Sequence, residues 1–300
     1  MRLLRFDAGS GPVLGALVGD TVVDIESAAQ ELEPAVAELC GRGMMDVINA
    51  GTEALRALGR VIANAGKPPD RRWSHAPESV RFLAPVPFPS KIIAVGQNYL
   101  DHIREQKIEP PAVPILFSKA PTSIVGPGDG IRWPAGLTQQ VDPEAELGVV
   151  IGRRMKGAAR KDALDFVFGY TALNDVSARD LQFGDKQWVR GKSLDTFCPM
   201  GPVLVTRDEI PDPQALDISL SVSGRVWQKS NTREMIFPVA RLLSFISQGI
   251  TLLPGDVIAT GTPHGVGMFQ KPPVFLKAGD KLRLEVERIG ILENPVLGPC

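Results

Sequence analysis

The stretch QQVDPEAELGVVIG, residues 139–152, sets acids at Asp142, Glu144 and Glu146 and then runs into apolar chain with no further charge. The Val- and Ile-rich continuation predicts a strand that enters the interior. In extended chain the two-residue period puts Glu144 and Glu146 on one face, roughly 7 Å apart. Like charges so close repel unless something positive lies between them. An oxygen-binding divalent cation such as Mg2+, Mn2+ or Ca2+ meets that need. The same pattern also suits an exposed strand end with polar outward positions, and the apolar GVVI argues for the interior.

Similar short runs recur on both sides: KIIAVG (91–96), PILFSK (114–119), PMGPVLV (199–205), LDISLSVSG (216–224), GDVIATG (255–261) and DKLRLEVE (280–287). Each is short, rich in Val, Ile and Leu, and bounded by Gly, Pro or Asp turns, which is the pattern of strands. Helical spacing interrupts them only around Tyr99–Glu105, Ala158–Phe168 and Pro238–Gln248. Strands outnumber crossover helices, which excludes a doubly wound parallel sheet and favours an α+β, mainly β, rolled catalytic domain.

The first 80 residues have another texture. Short strands around Leu3–Val18 precede VVDIESAAQELEPAVAELC (22–40) and MMDVINAGTEALRALGRVIANAG (44–66), whose apolar spacing predicts helices. The polar, Pro-rich segment 67–90 reads as a linker or a boundary loop. The expected division is a small mixed α/β N-terminal domain, 1–80, and a catalytic domain, 81–300.

Lys plus Arg number 33 against 34 Asp plus Glu, so a role built on phosphate backbones or anionic membranes is not expected. The hydrophobic content of 44% supports a core. Three widely spaced cysteines, with no CxxC, exclude a disulfide framework and a thiolate zinc site. They fit a reducing cytoplasm. The N-terminus reaches Asp7 before any apolar stretch develops, and no window approaches the length of a membrane span. With only three histidines, at 75, 102 and 264, a histidine-based metal site is not expected.

Two carboxylates rarely complete a cation site. GYTALNDVSARDLQ (169–182) offers Asp175, at an expected strand end, and Asp180, which sits beside Arg179 and reads as an ion-pair or capping residue. In NYLDHIREQ (98–106), His102 and Glu105 are three residues apart and share a helix face. A carboxylate there fixes and strengthens an imidazole that takes a proton. GTPHGVG (261–267) supplies glycines for close backbone approach and the Thr262 hydroxyl, while His264 has no evident orienting partner. Lys192, within RGKSLDTFCPMGP (190–202), can neutralise a substrate carboxylate.

Taken in order, NYxxHxxE, DxExELxVVIG, NDVSARDLQ, GKSxDTxxPxGP and LLPGDVIATGTPxGVG resemble the fumarylacetoacetate hydrolase family over about residues 90–290. The resemblance implies a β-rich catalytic domain, often with an N-terminal extension, a homodimer, and a bound Mg2+ or Mn2+. It implies small β-diketo or 2-oxo acid substrates. Carried onto this chain, the metal ligands are Glu144, Glu146 and Asp175, and the water-activating dyad is His102 with Glu105. Lys192 becomes the active-site lysine, Thr262 lies against substrate, and Arg179, Gln182 and Lys119 fall in pocket-lining segments. The presence of both dyad members favours hydrolysis of an acylpyruvate C–C bond. A diene-dioate isomerase, or an oxaloacetate decarboxylase or tautomerase, is the alternative on the same scaffold. A turnover-less oxo-acid sensor is the remote one.

Overall fold

The computed structural model describes residues 1–65 and 72–300. The chain opens with β1 (Arg2–Asp7), β2 (Pro12–Val18) and β3 (Thr21–Asp24). Asp24 ends β3 and caps α1 (Ile25–Leu32), its side chain accepting from Ser27 N at 2.9 Å. Three more helices follow, α2 (Pro34–Arg42), α3 (Met44–Asn49) and α4 (Thr52–Ala65). β4 (Ser74–His75) then pairs with β3, and β5 (Arg81–Leu83) pairs with β1. Two short pieces of the Pro-rich segment are therefore tied into a sheet where a linker or a boundary loop was expected, because the edges of β3 and β1 offer free backbone groups. Residues 67–71 of that segment lie outside the described residues.

The next strands are β6 (Ile92–Gly96), β7 (Ile115–Lys119), β8 (Ile124–Val125) and β9 (Ile131–Trp133), with α5 (Leu100–Gln106) between the first two. β10 (Val141–Asp142) and β11 (Ala145–Ile151) carry the acidic stretch. β12 (Val167–Asn174), β13 (Ser177–Ala178), the short helices α6 (Arg179–Gly184) and α7 (Val189–Lys192), and β14 (Cys198–Thr206) come next. β15 (Asp217–Val222), β16 (Arg225–Asn231), α8 (Val239–Gly249), β17 (Val257–Ala259), β18 (Lys281–Val286) and β19 (Gly290–Pro299) complete the chain.

One large sheet runs β4-β3-β2-β1-β14-β12-β11-β17-β6-β7, and a smaller one runs β16-β15-β18-β19-β9. The large sheet is continuous across residue 80, because β1 pairs antiparallel with β14. Its strands are mostly antiparallel, with β17 and β6 parallel. Among the described residues no helix is long and apolar enough to cross a membrane.

β11 is buried at all seven positions, as GVVI suggested. Leu147, Val149 and Ile151 join one apolar cluster, with Tyr170, Val205 and residues of the small sheet. Val150 joins the other, with Leu58 and Val61 of α4. By strand alternation Glu146 shares the face of Val150. Residues 158–168, expected as a helix, instead form a 3-10 turn, Arg160–Phe166, and then enter β12. The β-branched and aromatic run from Val167 prefers the pleated interior over continued helix. Gly169 lets β12 approach β14, since a Cβ there would stand 2.2 Å from the Val205 carbonyl oxygen.

Candidate active site

The acids sit at the ends of three strands in the middle of the molecule. Asp142, Glu144, Glu146 and Asp175 are all buried, none more than 6% exposed. Asp175 follows β12 directly, and its N–H donates to the Glu144 carbonyl at 2.9 Å, so backbone hydrogen bonding locks the two segments together. One ligand atom each from Glu144, Glu146 and Asp175 lie within 4.8 Å of one another. The sequence spacing anticipated this convergence.

Three cations face four carboxylates. Lys192 Nζ stands 2.7 Å from Glu144 Oε2 and 2.8 Å from Asp175 Oδ2. Lys119 Nζ donates to Asp175 Oδ1 at 2.6 Å and to the backbone carbonyl of Lys192. Arg179 bridges Asp142, at 2.9 Å, and Glu144, at 2.7 Å. Burial acts to raise the Glu144 carboxyl, but Lys192 and Arg179 hold it down at about 2. Glu146 makes no ion pair among the described residues, although Lys192 lies near enough to favour its charge, and it accepts from Gly261 N at 2.8 Å. Burial, with Asp175 and Glu144 close by, pushes its carboxyl well above the ordinary value. With every group ionised, one negative charge is uncompensated, at the vertex where three carboxylates meet. Hard oxygen donors around an uncompensated charge fit Mg2+ or Mn2+.

The dyad forms as expected. His102 Nδ1 is 3.0 Å from Glu105 Oε2, and His102 is 7% exposed. Gly265 N donates to the other Glu105 oxygen at 2.9 Å. The imidazole meets the edge of Phe269, with ring centroids 5.8 Å apart.

A narrow cavity of about 60 Å³ joins the two groups, lined by His102, Glu144, Arg179, Gln182, Lys192 and Thr262. Phe117, Trp188 and Phe269 close its apolar side. Trp188 packs edge-on to Phe117 and over Gly96, where any Cβ would stand 2.4 Å from the indole. Glu105, Glu146 and Asp175 stand behind this lining. Lys119, expected on a pocket-lining segment, is fully buried behind Asp175 and does not line the cavity. Asp180 stays outside the cluster, accepting from Thr138 Oγ1 at 2.6 Å and Leu181 N at 2.9 Å.

Several contributors were not legible in the sequence. Asp142 accepts from Arg179 and from the N–H groups of Gly267 and Met268, tying the acidic stretch to the glycine turn. Gln228 does the same work further along. Its Nε2 donates to Thr262 Oγ1 at 2.8 Å, and its Oε1 accepts from Ala145 N at 2.8 Å. The Thr262 hydroxyl accepts the bond from Gln228, and its own O–H can still donate. His264, expected to lack a partner, lies 3.0 Å from Asp101 Oδ2.

Residues 91–297 match the fumarylacetoacetate (FAA) hydrolase C-terminal family. An oxaloacetate tautomerase of Bos taurus, described as mitochondrial, is 45% identical over 304 residues, spanning 99% of this chain and 92% of the relative. The chain belongs to the fumarylacetoacetate hydrolase family. The fumarylacetoacetate hydrolase of psychrophilic Exiguobacterium antarcticum superposes with a TM-score of 0.83 at 39% identity, over 99% of both chains. Another family structure, maleylpyruvate hydrolase from Sphingobium sp. SYK-6 in complex with manganese(II) ion and pyruvate, gives a TM-score of 0.78 at 32% identity, covering 100% of each chain. The chain is thus an enzyme of the fumarylacetoacetate hydrolase family, with a buried acidic triad suited to a metal ion.

Proposed function

We propose that the protein interconverts the enol and keto forms of a short 2-oxo dicarboxylic acid, with oxaloacetate as the leading substrate. The observation that carries this reading is the buried triad and the His102–Glu105 dyad meeting at one small cavity. The cavity is narrow, about 60 Å³, and is lined by groups that suit a small anionic acid. The bovine relative's description as an oxaloacetate tautomerase points the same way.

Glu144, Glu146 and Asp175 are the residues that hold Mg2+ or Mn2+ in this reading. The chemistry such an ion supplies when bound is stabilisation of enolate charge on oxygen. The chain's own residues do the rest. Among the described residues Arg179 Nη2 is buried without a hydrogen-bond partner, which makes it the donor we assign to a substrate carboxylate. Lys192 adds a compact positive charge at the cavity wall. Glu105 engages Nδ1 of His102, which leaves Nε2 as the atom that takes and returns a proton. From the keto form, Nε2 takes the C3 proton and the electron pair passes to the 2-oxygen. The imidazolium then gives that proton to the 2-oxygen, which forms the enol and restores the neutral imidazole; in the reverse direction Nε2 takes the enol O–H proton and returns it to C3. Phe117, Trp188 and Phe269 keep bulk water from the carbanionic centre.

A second reading, hydrolytic cleavage of an acylpyruvate, is favoured by the same dyad. An imidazole held by a carboxylate is also what activates a water. Assaying enol-oxaloacetate decay and acylpyruvate cleavage side by side, with Mg2+ or Mn2+, separates the two. Catalysed enol decay without cleavage supports tautomerisation, and release of pyruvate from acylpyruvates without effect on the enol refutes it. Assembly as a homodimer belongs to the same proposal, and light scattering in solution tests it.

A further inference from the structure

What holds α5 in place decides where His102 presents its Nε2. At seven residues, α5 has little stability of its own. Left-handed, non-glycine residues bracket it, Gln97 at φ 55 and Lys107 at φ 57. Tertiary contacts must therefore seat it. Asn98 anchors the entry through the Phe237 backbone and the Thr260 carbonyl. On the helix itself, besides Ser230 on Asp101 and Glu234 near Arg104, two acidic side chains are gripped by one dipeptide of the glycine turn, His264–Gly265.

His264 offers two donors to one carboxylate. Its N–H lies 3.3 Å from Asp101 Oδ1 and its ring Nδ1 lies 3.0 Å from Oδ2, which also accepts from Ser230 Oγ. The next residue, Gly265, donates to Glu105. Asp101 and Glu105 are one helical turn apart on the same face. The second grip is thus on the dyad's own carboxylate. Gly265 sits at φ +99 with its Cα against the Trp227 carbonyl, where a Cβ would stand 1.9 Å away, so the turn has little freedom to follow a displaced helix. The His264 side chain is 46% exposed and does not line the cavity, and the side-chain partner through which it reaches α5 is Asp101.

We propose that His264 and Asp101 form a positioning pair for the proton-transfer dyad. The pair registers α5 against the glycine turn so that the Gly265 N–H holds Glu105 and Glu105 holds His102. This rests on the reading that His102 moves the substrate proton.

The test measures kcat and KM for enol–keto conversion in the full-length protein with Mn2+. The variants are His264→Ala, His264→Asn, His102→Ala and the double variant His102→Ala/His264→Ala. His264→Ala is expected to lower kcat about tenfold, the scale of one charge-assisted hydrogen bond, and to leave KM within about twofold. His264→Asn places an amide donor close to where Nδ1 stands and is expected to recover most of the loss. In the His102→Ala background the His264 change is expected to have no further effect, because nothing is left to position. Hydrogen exchange of the 100–106 amides, faster in His264→Ala but not in His264→Asn, completes the expected set. Wild-type kcat in His264→Ala, with His102→Ala inactive, overturns the positioning pair alone. An equal loss from the His264 change in both backgrounds also overturns it, by assigning a general structural effect. Full activity of His102→Ala overturns the pair and the proton-transfer reading together.

Discussion

The carboxylate cluster and the His102–Glu105 dyad border the same cavity but are built by different means. The cluster rests on the short strand β10 and on the ends of the central strands β11 and β12, and its acids are buried among Lys119, Arg179 and Lys192. Burying so many charges is expensive unless each is paired, and the pairing leaves few alternative geometries. The dyad rides instead on a seven-residue helix seated by side-chain contacts to a turn, one of them through a half-exposed histidine. The difference suggests a division of labour. On the proposed function, the sheet would fix the end of the substrate that meets the cation, while the proposed proton carrier, His102, would be open to tuning, or disturbance, from the surface. Placing reactive groups on segments held by a rigid frame is a common solution.

The largest effect should come from the cluster. Chelation, or Glu146→Ala, should lower activity about a thousandfold, several kcal/mol of lost charge stabilisation. Added Mn2+ should restore the chelated wild type and not the variant, with bound metal followed by elemental analysis. A Glu146→Ala enzyme that kept both metal and rate would remove the cluster from the comparison. His102→Ala should follow, at about a hundredfold to ten-thousandfold in kcat with metal content unchanged. Loss of metal on that substitution would mean that the two regions are not separable. Lys119→Met sharpens the contrast from behind the cluster. Removing one partner of a buried pair should cost about 3 kcal/mol in unfolding free energy, read by denaturant titration. KM in that variant should stay within about twofold, because Lys119 does not line the cavity. A large rise in KM with little loss of stability would instead return Lys119 to the substrate. The effect of His264→Ala on kcat should be the smallest of these.

The sequence was readable where chemistry follows local periodicity. Strand alternation alone placed Glu144 and Glu146 together, the strand end placed Asp175, and helical spacing placed His102 beside Glu105. It was unreadable where one residue answers another far along the chain. Nothing local to VWQKS marks Gln228 as the tie between Ala145 and Thr262, and nothing local to His264 points to Asp101. Lys119 ends an ordinary strand run, and its burial follows only from the charge of Asp175 and the carbonyl of Lys192. Residues 72–83 read as polar connection because their proline and charge content outweighs their few apolar positions. They pair with β3 and β1 because those strands expose edges. The expected helix over 158–168 failed because helical spacing there is overridden by a buried strand from Val167 onward.

The most direct test of the central claim is a rapid-mixing measurement of enol-oxaloacetate decay. Wild type, chelated wild type and His102→Ala would be compared with buffer containing the same Mn2+. The account predicts fast, saturable decay with wild type alone, lost on chelation, recovered with Mn2+, and absent in His102→Ala. Decay no faster than in Mn2+ buffer, with the same preparation releasing pyruvate from acylpyruvates, would contradict it.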